Sequence, residues 1–208
     1  MSQGWRVLTS GLALAFVASS CGAPLEGKLA LALKYVTYRD PSGAAVVDEA
    51  AAKGNLAAVN TVWATCEIAF QLDEFKEVDP AAYGLKFSTR DLSELEAIRG
   101  AFSTRNEFLL VTTGPWDRSG TLGTSQANAW TAMPAVQGLF GAVMEEKVGD
   151  FAAMIAHELG HYLGLEHVND SHDVMNPLIY SYSKSLSADQ CKAARASVGA
   201  FWTSALRR

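Results

Sequence analysis

The strongest constraint on the fold of this chain is an eleven-residue segment, residues 157–167, with the sequence HELGHYLGLEH. It contains two histidines four residues apart, a glutamate directly after the first, and a third histidine six residues after the second. The chain has four histidines, and all lie in or shortly after this segment, at positions 157, 161, 167 and 172. From average residue usage, a chance match to HExxHxxGxxH has a probability on the order of one in ten million per position. The pattern therefore indicates a metal site that does chemistry.

The spacing predicts a helix that ends in a sharp turn. Residues four apart lie on one face of an α-helix, so His157 and His161 can present their imidazoles to one metal ion, with Glu158 beside them. A continuing helix would carry His167 roughly 9 Å further along the axis and onto the wrong side. Gly164 lies where the chain must turn back, and glycine is the usual residue for ending a helix in a left-handed conformation.

These residue types predict a catalytic zinc site. Three neutral imidazoles, from His157, His161 and His167, suit Zn²⁺ and leave its fourth tetrahedral position open for water. Zinc lowers the pKa of that water and polarises a substrate carbonyl. We expect Glu158 to take the proton of the water and to pass it to the leaving amine. The motif thus predicts amide hydrolysis without a covalent intermediate, with one catalytic zinc ion.

A methionine follows the third histidine at short range, in the segment DVMNP at residues 173–177. With these residues the chain resembles the metzincin clan of zinc endopeptidases, and Met175 matches the clan's Met-turn. HELGHYLGLEH followed by Met-x-Pro is most similar to the matrixins, and LSADQ at residues 186–190 resembles the start of their C-terminal helix. The resemblance is strong over residues 150–177. It implies an α+β fold: one catalytic domain with a twisted, mostly parallel sheet, an active-site helix and a C-terminal helix.

The chain departs from related families at two points. Matrixins carry a second, structural zinc bound by further histidines, and this chain has no histidine before His157. Relatives of the astacin and serralysin type place a tyrosine ligand two residues after the methionine, where this chain has Pro177. Tyr180 and Tyr182 are expected in the pocket wall or on the surface.

His172 is an alternative third ligand, but its spacing fits the pattern less well than that of His167. We expect it to be a loop histidine beside the site. Calcium remains open as a further ion, since Asp and Glu are scattered through the chain, but they form no loop that indicates a calcium site.

The N-terminus has the pattern of a leader. Residues 1–20 carry one positive charge followed by an apolar stretch that is too short to span a bilayer comfortably. Cys21 follows directly, and ASSC at residues 18–21 resembles a bacterial lipobox. Gly22 in the next position favours the outer membrane. We expect a signal peptide over residues 1–20 and an exported protein that is anchored in the bacterial envelope by lipid on Cys21.

The leader leaves a simple domain layout, with a short tether over residues 21–27 and the catalytic domain over residues 28–208. Two alternatives for Cys21 remain open. One is a soluble periplasmic or secreted protein that is cleaved nearby. The other is a cysteine switch, which CGAP at residues 21–24 matches only in part.

Cys66 and Cys191 are the remaining two of the three cysteines. In an exported protein such a pair is expected to form a disulfide, here between the end of an early helix and the C-terminal helix. The alternative is two buried free thiols.

Hydrophobic periodicity predicts the other elements. The order of strand, helix, strand, strand and metal helix is that of a metzincin catalytic domain, without an internal repeat or a second domain. Strands are expected at residues 28–38, 67–72, 108–111 and 141–144, and helices within 46–65, at 91–102 and from Ser187 to about residue 200. The resemblance also implies an edge strand along which the substrate lies extended, and residues 127–131 are the candidate because they fall between the strands at 108–111 and 141–144.

The sequence as a whole predicts a zinc endopeptidase whose partner is a protein or peptide substrate. The net charge of −5 and the lack of a basic run argue against nucleic acid. We expect a monomer that contacts a membrane only through its lipid anchor. Two alternatives remain: a metal-stabilised binding protein without catalysis, and a zinc hydrolase that acts on cell-wall peptides.

Overall fold

The computed structural model describes residues 25–125, 127–132 and 140–207 of the chain. The predicted signal peptide and Cys21 lie outside these residues and stay predictions. In the described part of the chain, no helix combines the length and the apolar character that a membrane span requires.

The sheet is built around β1 (Leu29–Tyr38), a strand with buried side chains on both faces. It pairs in parallel with β2 (Ile68–Val78) on one side and with β3 (Phe108–Thr112) on the other. Parallel strands in this position need cover on both faces of the sheet. The apolar alternation predicted over residues 28–38 therefore describes only one of the two faces that β1 buries.

Short strands complete the sheet. β4 (Ala129–Thr131) pairs antiparallel with β5 (Ala142–Met144), and β5 pairs in parallel with β3. The strand order is β2-β1-β3-β5-β4, and β6 (Leu206–Arg207) pairs antiparallel with the start of β1. The predicted mostly parallel sheet is confirmed, and a short strand lies at its edge within residues 127–131, where the sequence predicts it.

Helices cover both faces of the sheet and divide the core into two hydrophobic clusters. On one face lie α1 (Glu49–Trp63), α4 (Phe151–Tyr162) and the C-terminal helix α5 (Ala188–Phe201). On the other lie α2 (Leu92–Phe102) and the short α3 (Thr121–Ser125). The motif helix α4 is thus supported by the larger of the two clusters.

Side-chain caps explain where α4 and α5 begin. At the start of α4, the Asp150 carboxylate accepts a hydrogen bond from the Ala153 N–H. At the start of α5, Ser187 and Gln190 form a capping box, which confirms the predicted cap. Each cap satisfies N–H groups that the first turn of a helix leaves without a partner.

β2 is longer than the six residues predicted for it at 67–72. The pairing with β1 shifts by one residue after Leu33, so Asp73 is an extra residue that interrupts the alternation at Leu72. Beyond it, charged residues of this edge strand pair with neighbours, as Glu74 does with Lys34 at 3.0 Å. Because the bulge breaks the apolar alternation and the edge position exposes charged side chains, hydrophobic periodicity does not predict the second half of β2.

α2 differs from the surface helix predicted at residues 91–102 because it has a buried face. That face covers the side of the sheet opposite α1, α4 and α5, and it includes Arg99, which is 2% exposed. The order of the elements along the chain does not reveal that a charged residue lies under the sheet. The buried residues of α2 are Leu95, Ile98, Arg99 and Phe102.

Cys66 and Cys191 are joined by a disulfide, as the sequence predicts. It links the short 3₁₀ turn after α1 (Ala64–Cys66) to the first turn of α5. One turn further along α5, Arg195 donates hydrogen bonds to the carbonyls of Cys66, Leu25 and Gly27. The C-terminal helix is therefore held both covalently and by hydrogen bonds against the start of β1.

Candidate active site

The chain reverses after α4, as the position of Gly164 predicts. Gly164 has a φ of 83°, in the left-handed region. The Leu165 N–H donates to the Gly160 carbonyl and the Gly164 N–H to the His161 carbonyl, both at 2.9 Å. These paired bonds define a Schellman motif. The turn brings His167 back beside the helix.

The structure brings the three predicted ligands together. The Nε2 atom of His167 lies 3.2 Å from Nε2 of His157 and 3.0 Å from Nε2 of His161. The Nδ1 atom of His157 lies 2.7 Å from the Val174 carbonyl, and Nδ1 of His161 lies 2.7 Å from the Leu165 carbonyl. Because a carbonyl oxygen only accepts, both rings donate from Nδ1 and direct a lone pair on Nε2 towards the centre.

The donor set fits a zinc ion. Burial lowers the pKa of His157 to about 4 and also lowers the pKa of His161, so both rings are neutral near pH 7. Zn–N bonds of about 2.0–2.1 Å in a tetrahedral site separate two ligand nitrogens by about 3.3 Å, close to the distances found here. In the described part of the chain, these three histidines are the only cluster of His, Cys, Asp and Glu that could hold a metal.

Met175, which the resemblance assigns to the Met-turn, lies against the motif helix α4. The methionine is fully buried and packs against α4 at Gly160, where a Cβ atom would lie 2.2 Å from its sulfur. A side chain at Gly160 would therefore displace the methionine. The turn also supplies the Val174 carbonyl to His157, and the Met175 carbonyl accepts from the Val168 N–H at 3.0 Å.

A buried carboxylate connects this turn to the C-terminal helix. Asp173 accepts hydrogen bonds from the Met175 N–H at 2.7 Å and from Nε2 of Gln190 at 3.0 Å. The side-chain oxygen of Gln190 accepts from the Ser187 N–H at 2.6 Å. The cap of α5 and the turn that contains Met175 thus share one hydrogen-bond network. The spacing of the motif does not indicate this network.

Glu158 is buried beside the triad, and its Oε2 atom accepts a hydrogen bond from the Thr131 hydroxyl of β4 at 2.5 Å. Burial raises the pKa of the Glu158 carboxyl to about 7, against the hydrogen bond from Thr131 and the charge of Arg99, which lower it. A cation at the triad would favour the ionised carboxylate and lower this pKa. The sequence does not indicate that Thr131 or Arg99 lies near Glu158, because periodicity within β4 and α2 does not show how these elements pack against α4.

The raised pKa of Glu158 predicts a pH-dependent cost in the metal-free protein. The folded state holds a proton that the unfolded state releases above about pH 4.5, so the contribution of Glu158 to stability falls as pH rises towards 7. Glu158→Gln should therefore stabilise the metal-free protein at pH 8, by about 3 kcal/mol. This difference in the free energy of unfolding between the variant and the wild type should vanish near pH 4, where the carboxyl is protonated in both the folded and the unfolded state. Thermal unfolding after chelation, at both pH values, measures it, and an equal effect at the two would contradict this account.

A cavity of about 670 Å³ opens above the triad, between two walls. One wall is residues 127–131, which include β4, and the other is residues 177–180, which follow the Met-turn. Glu158 and all three histidines of the triad line it. The cavity therefore forms a cleft with the predicted edge strand on one side and the predicted pocket wall on the other.

The structure does not bring His172 to the triad. His172 is an exposed loop residue whose ring packs against Tyr182, with ring centres 5.1 Å apart. Tyr182 in turn stacks on Tyr180, and Tyr180 reaches the cavity. Of the two tyrosines expected in the pocket wall or on the surface, Tyr180 lines the cavity, whereas Tyr182 is exposed and does not line it.

Two solved structures share the fold. One is described as the crystal structure of metalloproteinase-II from Bacteroides fragilis, with a TM-score of 0.54 and 18% identity over 84% of this chain and 55% of that chain. The other is described as the structure of a chaperone-substrate complex, with a TM-score of 0.55 and 13% identity over 86% of this chain and 35% of that chain. The chain thus spans about half or less of the length of each, and at these identities the likeness concerns the fold.

A comparison with curated proteins finds no match to the chain. The family model for matrixins matches residues 32–196, from the first strand into the last helix, and so includes the whole cleft. Since this match extends over most of the sequence, the chain belongs to the matrixin family.

Proposed function

We propose that the protein is a zinc-dependent endopeptidase, with Glu158 as the general base. The observation that carries the proposal is a buried carboxylate in the same cavity as three converging imidazoles. A site that only holds a metal ion needs no carboxylate at this place, whereas hydrolysis needs a group that moves protons. Membership of the matrixin family supports the same activity.

The roles of the residues follow from their chemistry. His157, His161 and His167 would hold a zinc ion, which lowers the pKa of water and polarises a substrate carbonyl. Glu158 takes a proton from the attacking water on its carboxylate and returns it to the leaving amine. A cation at the triad favours the ionised form of Glu158, which is the form that accepts a proton from water.

The edge of β4 supports an extended polypeptide as the substrate. The Asn128 carbonyl and the Ala132 N–H bond to backbone groups of the β5 segment. Backbone groups of a strand alternate in direction, so those of Ala129 and Thr131 face away from β5. Both residues line the cavity. A substrate chain can add there as a further strand, which would place its peptide bonds along the cleft.

A cleavage profile tests the proposal. The purified protein is incubated with peptides from a denatured proteome and with cell-wall peptides, with and without a chelator. We expect cuts inside the proteome peptides that disappear with the chelator. If nothing is cleaved, the protein is better described as a metal-stabilised binding protein. If only the cell-wall peptides are cleaved, the endopeptidase proposal is wrong in its substrate.

A further inference from the structure

Glu158 has a hydrogen-bond donor on the strand that faces it. The Thr131 hydroxyl of β4 lies 2.5 Å from Oε2 of Glu158 in α4. Within the described residues, no other side chain donates to this carboxylate, so Oε1 has no protein partner there. The two oxygens therefore differ: one is held by the protein, and the other is available to water.

β4 is held in place from behind by a buried arginine. Arg99 of α2 donates from Nη2 to the Trp130 carbonyl at 2.7 Å and from Nε to the Gly141 carbonyl at 2.8 Å. Trp130 precedes Thr131 in β4, and Gly141 precedes β5. A three-residue strand has few ladder bonds of its own, so these two bonds fix the strand that carries the hydroxyl.

The side chain of Thr131 is suited to hold its hydroxyl still. A β-branched side chain has few χ1 rotamers in a strand, whereas a glutamate has three rotatable bonds before its carboxylate. An unheld glutamate would populate several rotamers, and only some of them direct an oxygen towards water at the triad. A misplacement of about 1 Å is enough to cost a factor of 10² in rate.

We infer that Thr131 is a positioning residue, which holds Glu158 in the rotamer that leaves Oε1 free for the attacking water. The inference rests on the proposed function, because it assigns to Thr131 a part in the proton transfer by Glu158. Arg99 acts indirectly, since it holds β4 through the Trp130 carbonyl and does not bond to the carboxylate. Thr131 contributes through orientation and not through contact with the metal or the substrate carbonyl.

Two substitutions separate this role from simple packing. Thr131→Val keeps the branched shape and removes the donor, and Thr131→Ser keeps the donor and removes the methyl group. We expect Thr131→Val to lower kcat by about 10- to 100-fold, with KM and zinc content close to those of the wild type. Thr131→Ser should keep most of the wild-type kcat. Loss of kcat in both variants alike, or in neither, would overturn the inference.

A second measurement does not depend on turnover. If the hydroxyl bonds to Glu158, Thr131→Val should lower the thermal midpoint of the zinc-loaded protein, but not that of the Glu158→Ala variant. Equal shifts in both backgrounds would contradict the bond. The two claims are distinguishable: a wild type that cleaves no peptide defeats the proposed function, whereas a Thr131→Val variant that cleaves as fast as the wild type defeats only this inference.

Discussion

Replacement of Glu158 by glutamine is expected to remove nearly all peptide cleavage, while zinc stays bound and the fold is kept. Glutamine has almost the same shape, but its amide does not accept a proton from water. Groups that act as general acids and bases contribute about 10²–10⁴-fold to rates, so we expect kcat to fall by about 10³-fold. Initial rates on a peptide from the cleavage profile, together with the zinc content of the purified variant, measure both effects.

Glu166→Gln is the matched control. Glu166 lines the same cavity, but its side chain is exposed and has no place in the proposed proton transfer. We expect this variant to cleave almost as fast as the wild type. Substantial turnover by Glu158→Gln, or a loss of zinc in step with its loss of activity, would contradict the role given to Glu158.

The largest expected effect on stability comes from the disulfide. Cys66 and Cys191 are 125 residues apart in sequence, and the loss of a bond that closes so long a loop typically costs 2–5 kcal/mol. The Cys66→Ala/Cys191→Ala double variant should therefore unfold at a midpoint lower by about 10 °C, for a domain of this size. The hydrogen bonds of Arg195 should keep α5 in place, so cleavage at 25 °C should change little.

Thermal unfolding with and without a reductant supplies the control for this prediction. Reductant should lower the midpoint of the wild type towards that of the double variant. The double variant itself should not respond, because it lacks the bond. A wild-type midpoint that stays unchanged when the bond is reduced would show that the disulfide contributes little to stability.

The parts of the site that follow local rules could be predicted from the sequence. The placement of His157 and His161 depends on helix geometry, and the return of His167 depends on one glycine with a positive φ. The cap at Ser187 depends on residues three apart. In each case the cause and the effect lie within a few residues, so spacing is sufficient.

Apart from the disulfide, which the presence of two remaining cysteines indicates, contacts between distant segments could not be predicted. Thr131 and Glu158 are 27 residues apart, and Arg99 reaches Gly141 over 42 residues. Their contacts depend on how α2, β4 and α4 pack, and periodicity carries no information on this. The bulge at Asp73 hid half of β2 for a related reason, since it breaks the alternation on which the prediction of a strand relies.

The most direct test of the account is the return of cleavage when zinc is added to the metal-free protein. Without metal we expect no cleavage, and with added zinc we expect a linear rise in the initial rate up to one zinc per chain, with no gain beyond it. One equivalent is expected because, among the described residues, only the cluster of His157, His161 and His167 could hold a metal. Cleavage that persists in the metal-free protein, or that fails to return at one equivalent, would contradict the central claim.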